Sequence, residues 1–280
     1  RIKKLMKEID FKHNLKIIDL SLDKSKNKIK RFGKIFYKQR KDKGLTLSQA
    51  VKLFRTRDYF ASMMVKLGEA DALVSGYSRS YPEVIKPILK VIGKGKGVRK
   101  IAATNLMLTS KGPIFLSDTS ININPAYNDL AYISIMTANT AKMFGYSPVI
   151  AMLSYSNFGS SNHPMASKVE NAVKFLRRSK PNLIVDGPIQ SDFALNKLML
   201  TNKFDESRLG NQKVNILIFP NLDSANITYK VIKEIDGAKS IGPIIMGLDK
   251  AVHILQLKPS VEEIVNMSAI AVVDAQSRNQ

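Results

Sequence analysis

Short apolar runs rich in β-branched residues alternate with longer amphipathic stretches along most of the chain, and that alternation limits the fold more than any other feature. The runs are LKIID (15–19), DALVSG (71–76), KIAATNLML (100–108), GPIFLSD (112–118), SPVIAMLSYS (147–156), NLIVDGPI (182–189) and KVNILIFPNL (213–222). Between them, 46–69 reads as two helices, and 81–92, 125–144, 165–179, 223–236 and 260–275 as one each. Strands interleaved with helices form βαβ units, whose parallel sheets need helices on both faces. A strand buried on both faces is apolar throughout, as NILIF is, rather than alternating. The expected fold is therefore α/β, with mostly parallel sheets.

The glycine-rich, charged stretch IGKGKG (92–97) reads as a hinge. A return across it near IGPIIMG (241–247) would make the middle of the chain an inserted second domain. With 280 residues, two compact domains are affordable. No run approaches the ~18 apolar residues of a transmembrane span, and the opening RIKKLMKEIDFK is charged, unlike a signal peptide. The first residue is Arg, so a fragment of a longer protein is expected. Zero Cys excludes disulfides and thiolate metal sites and fits a cytoplasmic protein. The formal charge of +21 is concentrated in runs such as LDKSKNKIKRFGKIFYKQRKDKG (22–44). With no nucleic-acid-binding signature beside them, these read as a solvated face. The same positive field suits a polyanionic small ligand.

Standard motifs are missing. GKGKGVRK has neither the spacing of a dinucleotide fingerprint nor the ending of a Walker A loop, and His13, His163 and His253 match no metal spacing. Polar residues do recur at the expected C-terminal ends of strands, where open α/β sheets bind ligands. They are Ser75-Gly76, Ser117-Asp118-Thr119, Ser154-Tyr155-Ser156, Asp186-Gly187-Pro188 and Pro220-Asn221-Leu222-Asp223. Each alone would be a turn or cap; their succession along one edge suggests a cleft. In HILQLKPSVEEIV (253–265), Ser260 followed by Glu262 and Glu263 reads as a helix start, and the residues just before it as a connecting loop.

The segments GEADALVSGYSRSYPEVIKP (68–87), AMLSYSNFGSS (151–161), VDGPIQSDFALN (185–196), NILIFPNLDSANITYK (215–230) and AKSIGPIIMGLDKAVHIL (238–255) resemble, in order, the phosphate acetyl/butyryltransferase family. The resemblance implies two three-layer α/β domains around a cleft, an architecture shared with isocitrate and isopropylmalate dehydrogenases. It implies a first domain of residues 1–96 plus 245–280, shortened at its start, and an inserted domain of 97–244 that dimerises. Active members carry a Ser-Arg pair before the last helix and an Asp in that helix's first turn. On that pattern Gln256 stands for the Ser, Leu257 for the Arg and Glu263 for the Asp, and Lys86 replaces a second Arg. Arg40 matches an active-site Arg unchanged. Leu257 cannot donate to an oxyanion or a phosphate, so the resemblance implies no catalytic residues here.

GYSRSYPEVIKP, FPNLDSANITYK and SVEEIVNMSAIAVVDAQ are most similar to one branch, the phosphotransacetylase-like module of bacterial NADP-dependent malic enzymes. There the module binds acetyl-CoA and inhibits malate decarboxylation. The resemblance implies an acetyl-CoA site drawn from Arg40, Arg79, Lys86, Ser154, Asn221, Asn226, Lys230, Lys233, Gln256 and Leu257. Lys230 and Lys233, one helical turn apart, would suit coenzyme A phosphates. No metal and no other cofactor is expected in this chain; NADP and a divalent metal would belong to the malic enzyme catalytic domain in the same polypeptide. A homodimer or larger homo-oligomer is expected, without nucleic-acid or membrane partners. The rival expectations are a working transferase relying on Arg40 and Lys86, and a basic nucleic-acid binder.

Overall fold

The structure, a computed structural model, describes residues 1–278, so the last two residues of the expected first domain lie outside the described residues. It divides into two compact units, Arg1–Met63 and Met64–Gln280. The domain boundaries expected near 96 and 244 both fall within the second unit.

The first unit is helical: α1 (Ile2–Glu8), α2 (Asp23–Arg40), a 3-10 turn at Lys41–Lys43, α3 (Leu47–Leu53) and the start of α4 (Arg57–Lys66). Ile29, Phe32 and Phe36 bury one stripe of α2 at i, i+3 and i+7, packed with Phe54, Tyr59 and Phe60. Gly33 is required there, because a Cβ would stand 2.7 Å from the Val51 Cα of α3. The lysine-rich run read as a solvated face thus conceals a helix whose other face is core. The segment 15–19, expected as a strand, has no regular structure. Asp19 instead closes a turn into α2: its carboxylate accepts from Ser21 N (2.9 Å) and Oγ (2.7 Å), and its carbonyl accepts from Ser25 Oγ at 2.6 Å.

The second unit continues with β1 (Ala72–Tyr77), α5 (Tyr81–Val91), β2 (Ala102–Thr109), β3 (Gly112–Ser117), α6 (Tyr127–Met143), β4 (Val149–Leu153), α7 (Pro164–Ser179), β5 (Ile184–Ile189), α8 (Ser191–Leu195), α9 (Lys197–Lys203), β6 (Ile216–Ile218), α10 (Leu222–Ile235), β7 (Lys239–Met246), β8 (Ala251–Leu257) and α11 (Val261–Ser277). A six-stranded sheet has the order β5-β4-β6-β3-β2-β7, and β1 pairs with β8 in a separate parallel ribbon. The pairings β1–β8, β3–β6, β4–β5 and β4–β6 are parallel; only β2–β3 and β2–β7 are antiparallel. Ser110 and Lys111 alone join β2 to β3, too few residues for a parallel crossover, so these strands form a hairpin.

Alternation along each strand builds the layers. Ile150, Met152, Ile216 and Ile218 face α6 and α7, packing with Leu130, Ile133, Val169 and Leu176. Val149, Ala151, Leu153, Leu217 and Phe219 face the opposite side, toward α8, α9 and α10. Such fully buried side chains are worth roughly 1.5–3 kcal/mol each. A further core joins α5 to β8 through Val84, Ile88, Val252 and Ile254, and α11 closes over Leu255 and Ile244 with Met267 and Ile270. β7 and β8 were not anticipated as strands; Gln256 and Leu257, expected in a loop, end β8.

Candidate functional site

The C-terminal ends of β1 and β8 lie side by side, with Tyr77 in register with Leu257. β1 finishes on Tyr77 at φ 58°, β8 is followed by Lys258 at φ 52°, and the Lys258 amide donates to the Tyr77 carbonyl at 3.0 Å. Left-handed conformations cost a non-glycine residue of order 1–3 kcal/mol and cluster at functional sites. Gly76 is obligatory between them, since a Cβ would stand 2.4 Å from the Leu255 carbonyl oxygen. The result is an apolar ledge: Tyr77 and Leu257 are each 59% exposed.

Helix α11 begins immediately beyond. Ser260 Oγ accepts from the Glu263 amide at 3.1 Å, and the Ser260 amide donates to Glu263 Oε2 at 2.8 Å, the reciprocal cap legible in the sequence. Glu263 also stands 3.8 Å from Lys233 of α10. Gln256 Nε2 reaches the Tyr229 hydroxyl of α10 at 3.5 Å. Lys230 presents its ammonium 6.0 Å from the centre of the neighbouring Tyr229 ring. The fold thus brings Gln256, Glu263, Lys233 and Tyr229 together, with Leu257 on the same strand end. Tyr77 and Tyr229 were not anticipated from sequence; a glycine followed by an exposed aromatic at a strand end was the available signal for Tyr77.

The start of α10 is set by Asn221, whose Oδ1 accepts from the Ser224 amide at 2.9 Å, and Asn226 Nδ2 donates to the Thr119 carbonyl at 3.0 Å. That second bond fixes α10 to the loop after β3. Asp118 organises the same loop, accepting from the amides of Ser120 (3.0 Å), Ile121 (3.1 Å) and Asn122 (3.0 Å) and from Asn122 Nδ2 at 2.5 Å. Burial pushes the Asp118 carboxyl above its ordinary value, while the donors from Ser120, Asn122 and Ile121 pull against it. Burial, and then the Asp118 charge, also push the Tyr81 hydroxyl up; among the described residues that hydroxyl has no hydrogen-bond partner.

Ser154 follows β4 and accepts from the Ser156 amide at 3.3 Å. Asp186, inside β5, holds the fold: it pairs with Arg177 and accepts from the amides of Gly187 (2.8 Å) and Arg208 (2.7 Å). Lys86 lies exposed on α5. Arg79 precedes that helix and, after the hydroxyl and amide of Ser80, helps hold the Glu83 carboxyl below its ordinary value. Arg40 belongs to the first unit, its guanidinium 5.8 Å from the Phe36 ring centre. Among the described residues no group of three His, Cys, Asp or Glu could hold a metal ion, and no helix is long and apolar enough to cross a membrane.

This is an α/β protein whose polar side chains gather at strand ends and on the helices that follow them. The family profile of phosphate acetyl/butaryl transferase matches residues 1–272. The phosphate acetyltransferase of Clostridium acetobutylicum is 35% identical over 277 residues, covering 93% of this chain and 83% of that protein. The NADP-dependent malic enzyme of Escherichia coli (strain K12) is 35% identical over 280 residues, covering 99% of this chain and 36% of that enzyme. Among solved structures, a phosphotransacetylase from Streptococcus pyogenes matches with a TM-score of 0.90 at 33% identity, covering 99% of this chain and 83% of that one. The chain belongs to the phosphate acetyl/butaryl transferase family. It spans about a third of the length of the malic enzymes it matches, and most of the Clostridium transferase.

Proposed function

We propose that this chain is a non-catalytic, acetyl-CoA-binding regulatory domain of a cytoplasmic malic enzyme, with NADP, the divalent metal and malate decarboxylation supplied by the rest of the parent polypeptide. The observation that carries this reading is Leu257, an exposed aliphatic side chain where active family members place an arginine. Beside it, Gln256 is turned toward Tyr229, and Glu263 is engaged by its cap and by Lys233. Neither Leu257 nor Gln256 carries a charge that could neutralise a phosphate or an acyl oxyanion, the electrostatic work that such a transfer requires.

The same residues suit an intact thioester. Leu257 and Tyr77 offer apolar contact to the acetyl end, and Lys230 and Lys233 offer charge to the coenzyme A phosphates. Arg79, just before α5, and Lys86, midway along it, would add to that field. Binding shifts the parent's activity only as far as acetyl-CoA prefers one conformation over another. A dimer through 97–244 would join catalytic units, and light scattering at micromolar concentration should report it.

The second reading, an active acyltransferase, is favoured by the match over 83% of the Clostridium transferase. One experiment separates the two: calorimetry with acetyl-CoA, coenzyme A and acetyl phosphate, beside an assay for acetyl transfer from acetyl phosphate to coenzyme A. The regulatory reading expects acetyl-CoA binding without turnover. Turnover that persists through purification would establish the transferase, and no acetyl-CoA binding would remove the regulatory reading.

A further inference from the structure

The face of the six-stranded sheet that packs on α8, α9 and α10 is not fully covered. A cavity of about 510 Å³ opens there, beneath the β2–β3 hairpin. Ile114, Leu116, Leu200, Val214, Leu217 and Ile232 form its apolar wall. The half-buried Pro113, Ile114 and Ile232 and the exposed Leu195 present the apolar surface a ligand would meet, and the buried Leu116 and Leu200 close the floor behind them. The volume lies within the ~300–1,000 Å³ of small-molecule pockets, which pair apolar walls with a few placed polar groups.

Three of the polar groups here are cationic. The exposed lysines 111, 197 and 213 line the cavity, and among the described residues none has a carboxylate partner. The Lys213 ammonium donates to the Lys111 carbonyl, which holds it across the hairpin turn. The one lining carboxylate, Asp236, is directed at Ser110, accepting from its hydroxyl at 3.2 Å and facing its amide at 3.4 Å. An apolar interior behind three ammonium groups selects a ligand that is apolar at one end and anionic at the other.

We infer that this cavity binds an amphipathic anion, an alkyl or acyl chain bearing a carboxylate or a phosphate, at a site separate from Gln256 and Leu257. The chain would lie against Ile114 and Leu217 with its charged head among the lysines. The inference does not depend on how the strand ends of β1 and β8 are read. A second copy of the chain is the alternative occupant, but an apolar hollow beside three lysines favours an anion with an apolar tail.

Calorimetric titration of the purified protein with octanoate, octyl phosphate, 1-octanol and acetate tests this. The anionic amphiphiles should bind, with 1-octanol and acetate at least tenfold weaker. Comparing octanoate with octyl phosphate identifies the preferred head group. Lys197→Glu, an exposed change that leaves the core intact, should weaken octanoate by tenfold or more. Ile114→Trp should abolish binding by filling the cavity, with circular dichroism showing a retained fold. Equal affinity for octanoate and 1-octanol, no binding of either anion at millimolar concentration, or Lys197→Glu separating a dimer while leaving octanoate affinity unchanged would each overturn the inference.

Discussion

Replacing Lys230 by Ala gives the most direct test of the proposed acetyl-CoA site. Lys230 is on the exposed face of α10, and among the described residues its ammonium has no carboxylate partner. A charge-assisted bond to a phosphate is worth about 1.5–3 kcal/mol. On an exposed helix face solvent screening places it at the low end of that range. About 1.5 kcal/mol corresponds to roughly a tenfold rise in the acetyl-CoA Kd. Lys233 must first give up Glu263, 3.8 Å away, a partly exposed pair of the kind worth about 0.2–1 kcal/mol. Its replacement by Ala should therefore cost less, roughly fivefold. Glu263→Gln keeps a residue competent for the α11 capping box while releasing Lys233, so acetyl-CoA should bind roughly twofold tighter. In a full-length malic enzyme, Lys230→Ala should blunt acetyl-CoA inhibition without altering malate turnover, because binding and inhibition are linked. Calorimetry on the wild type, the three single variants and the double variant measures the series. Unchanged affinity in the Lys230→Ala, Lys233→Ala double variant, or a Lys233 effect larger than that of Lys230, would refute the placement.

Wild-type protein should show no acetyl transfer to coenzyme A, while Gln256→Ser with Leu257→Arg should gain a trace; a coupled assay on both reports it, and robust wild-type turnover is the contrary result. Ser260→Ala removes the hydroxyl that accepts from the Glu263 amide and should cost about 1 kcal/mol. For a chain of this size that lowers Tm by about 2–4 °C, which differential scanning calorimetry would detect. Burial alone would push the Asp274 carboxyl up, but His253 and Arg278 outweigh it and hold it below the ordinary value. A depressed folded-state value means the stabilisation is present above the unfolded value near 3.8 and lost as pH falls through the folded one. Urea unfolding at pH 5 and pH 3 should therefore show a smaller loss of stability in Asp274→Asn than in wild type; equal losses would show that other groups dominate.

What the sequence determined by itself is most of what depends on local pattern. The apolar run ILIF (216–219) reads as a strand buried on both faces, and most of the amphipathic stretches as helices over a sheet, although LKIID is no strand and most of 46–69 belongs to the helical first unit. Ser260 and Glu263 specify their cap across three residues, and the ordered family motifs carry the identification. Tertiary structure decided what depends on distant residues or on a single backbone turn. α2 hid within a lysine run because Ile29, Phe32 and Phe36 become legible only when Phe54 and Phe60 arrive to bury them. β7 and β8 escaped notice because their partners, β2 and β1, lie more than a hundred residues away. Asp186 stood in sequence among the candidate cleft residues, yet Arg177 and the Arg208 amide make it a strut of the sheet. The ledge of Tyr77 and Leu257 exists only because two paired strands run out side by side into the left-handed residues Tyr77 and Lys258. No periodicity encodes that arrangement: it is fixed by the pairing of β1 with β8, and pairing is a property of the folded chain.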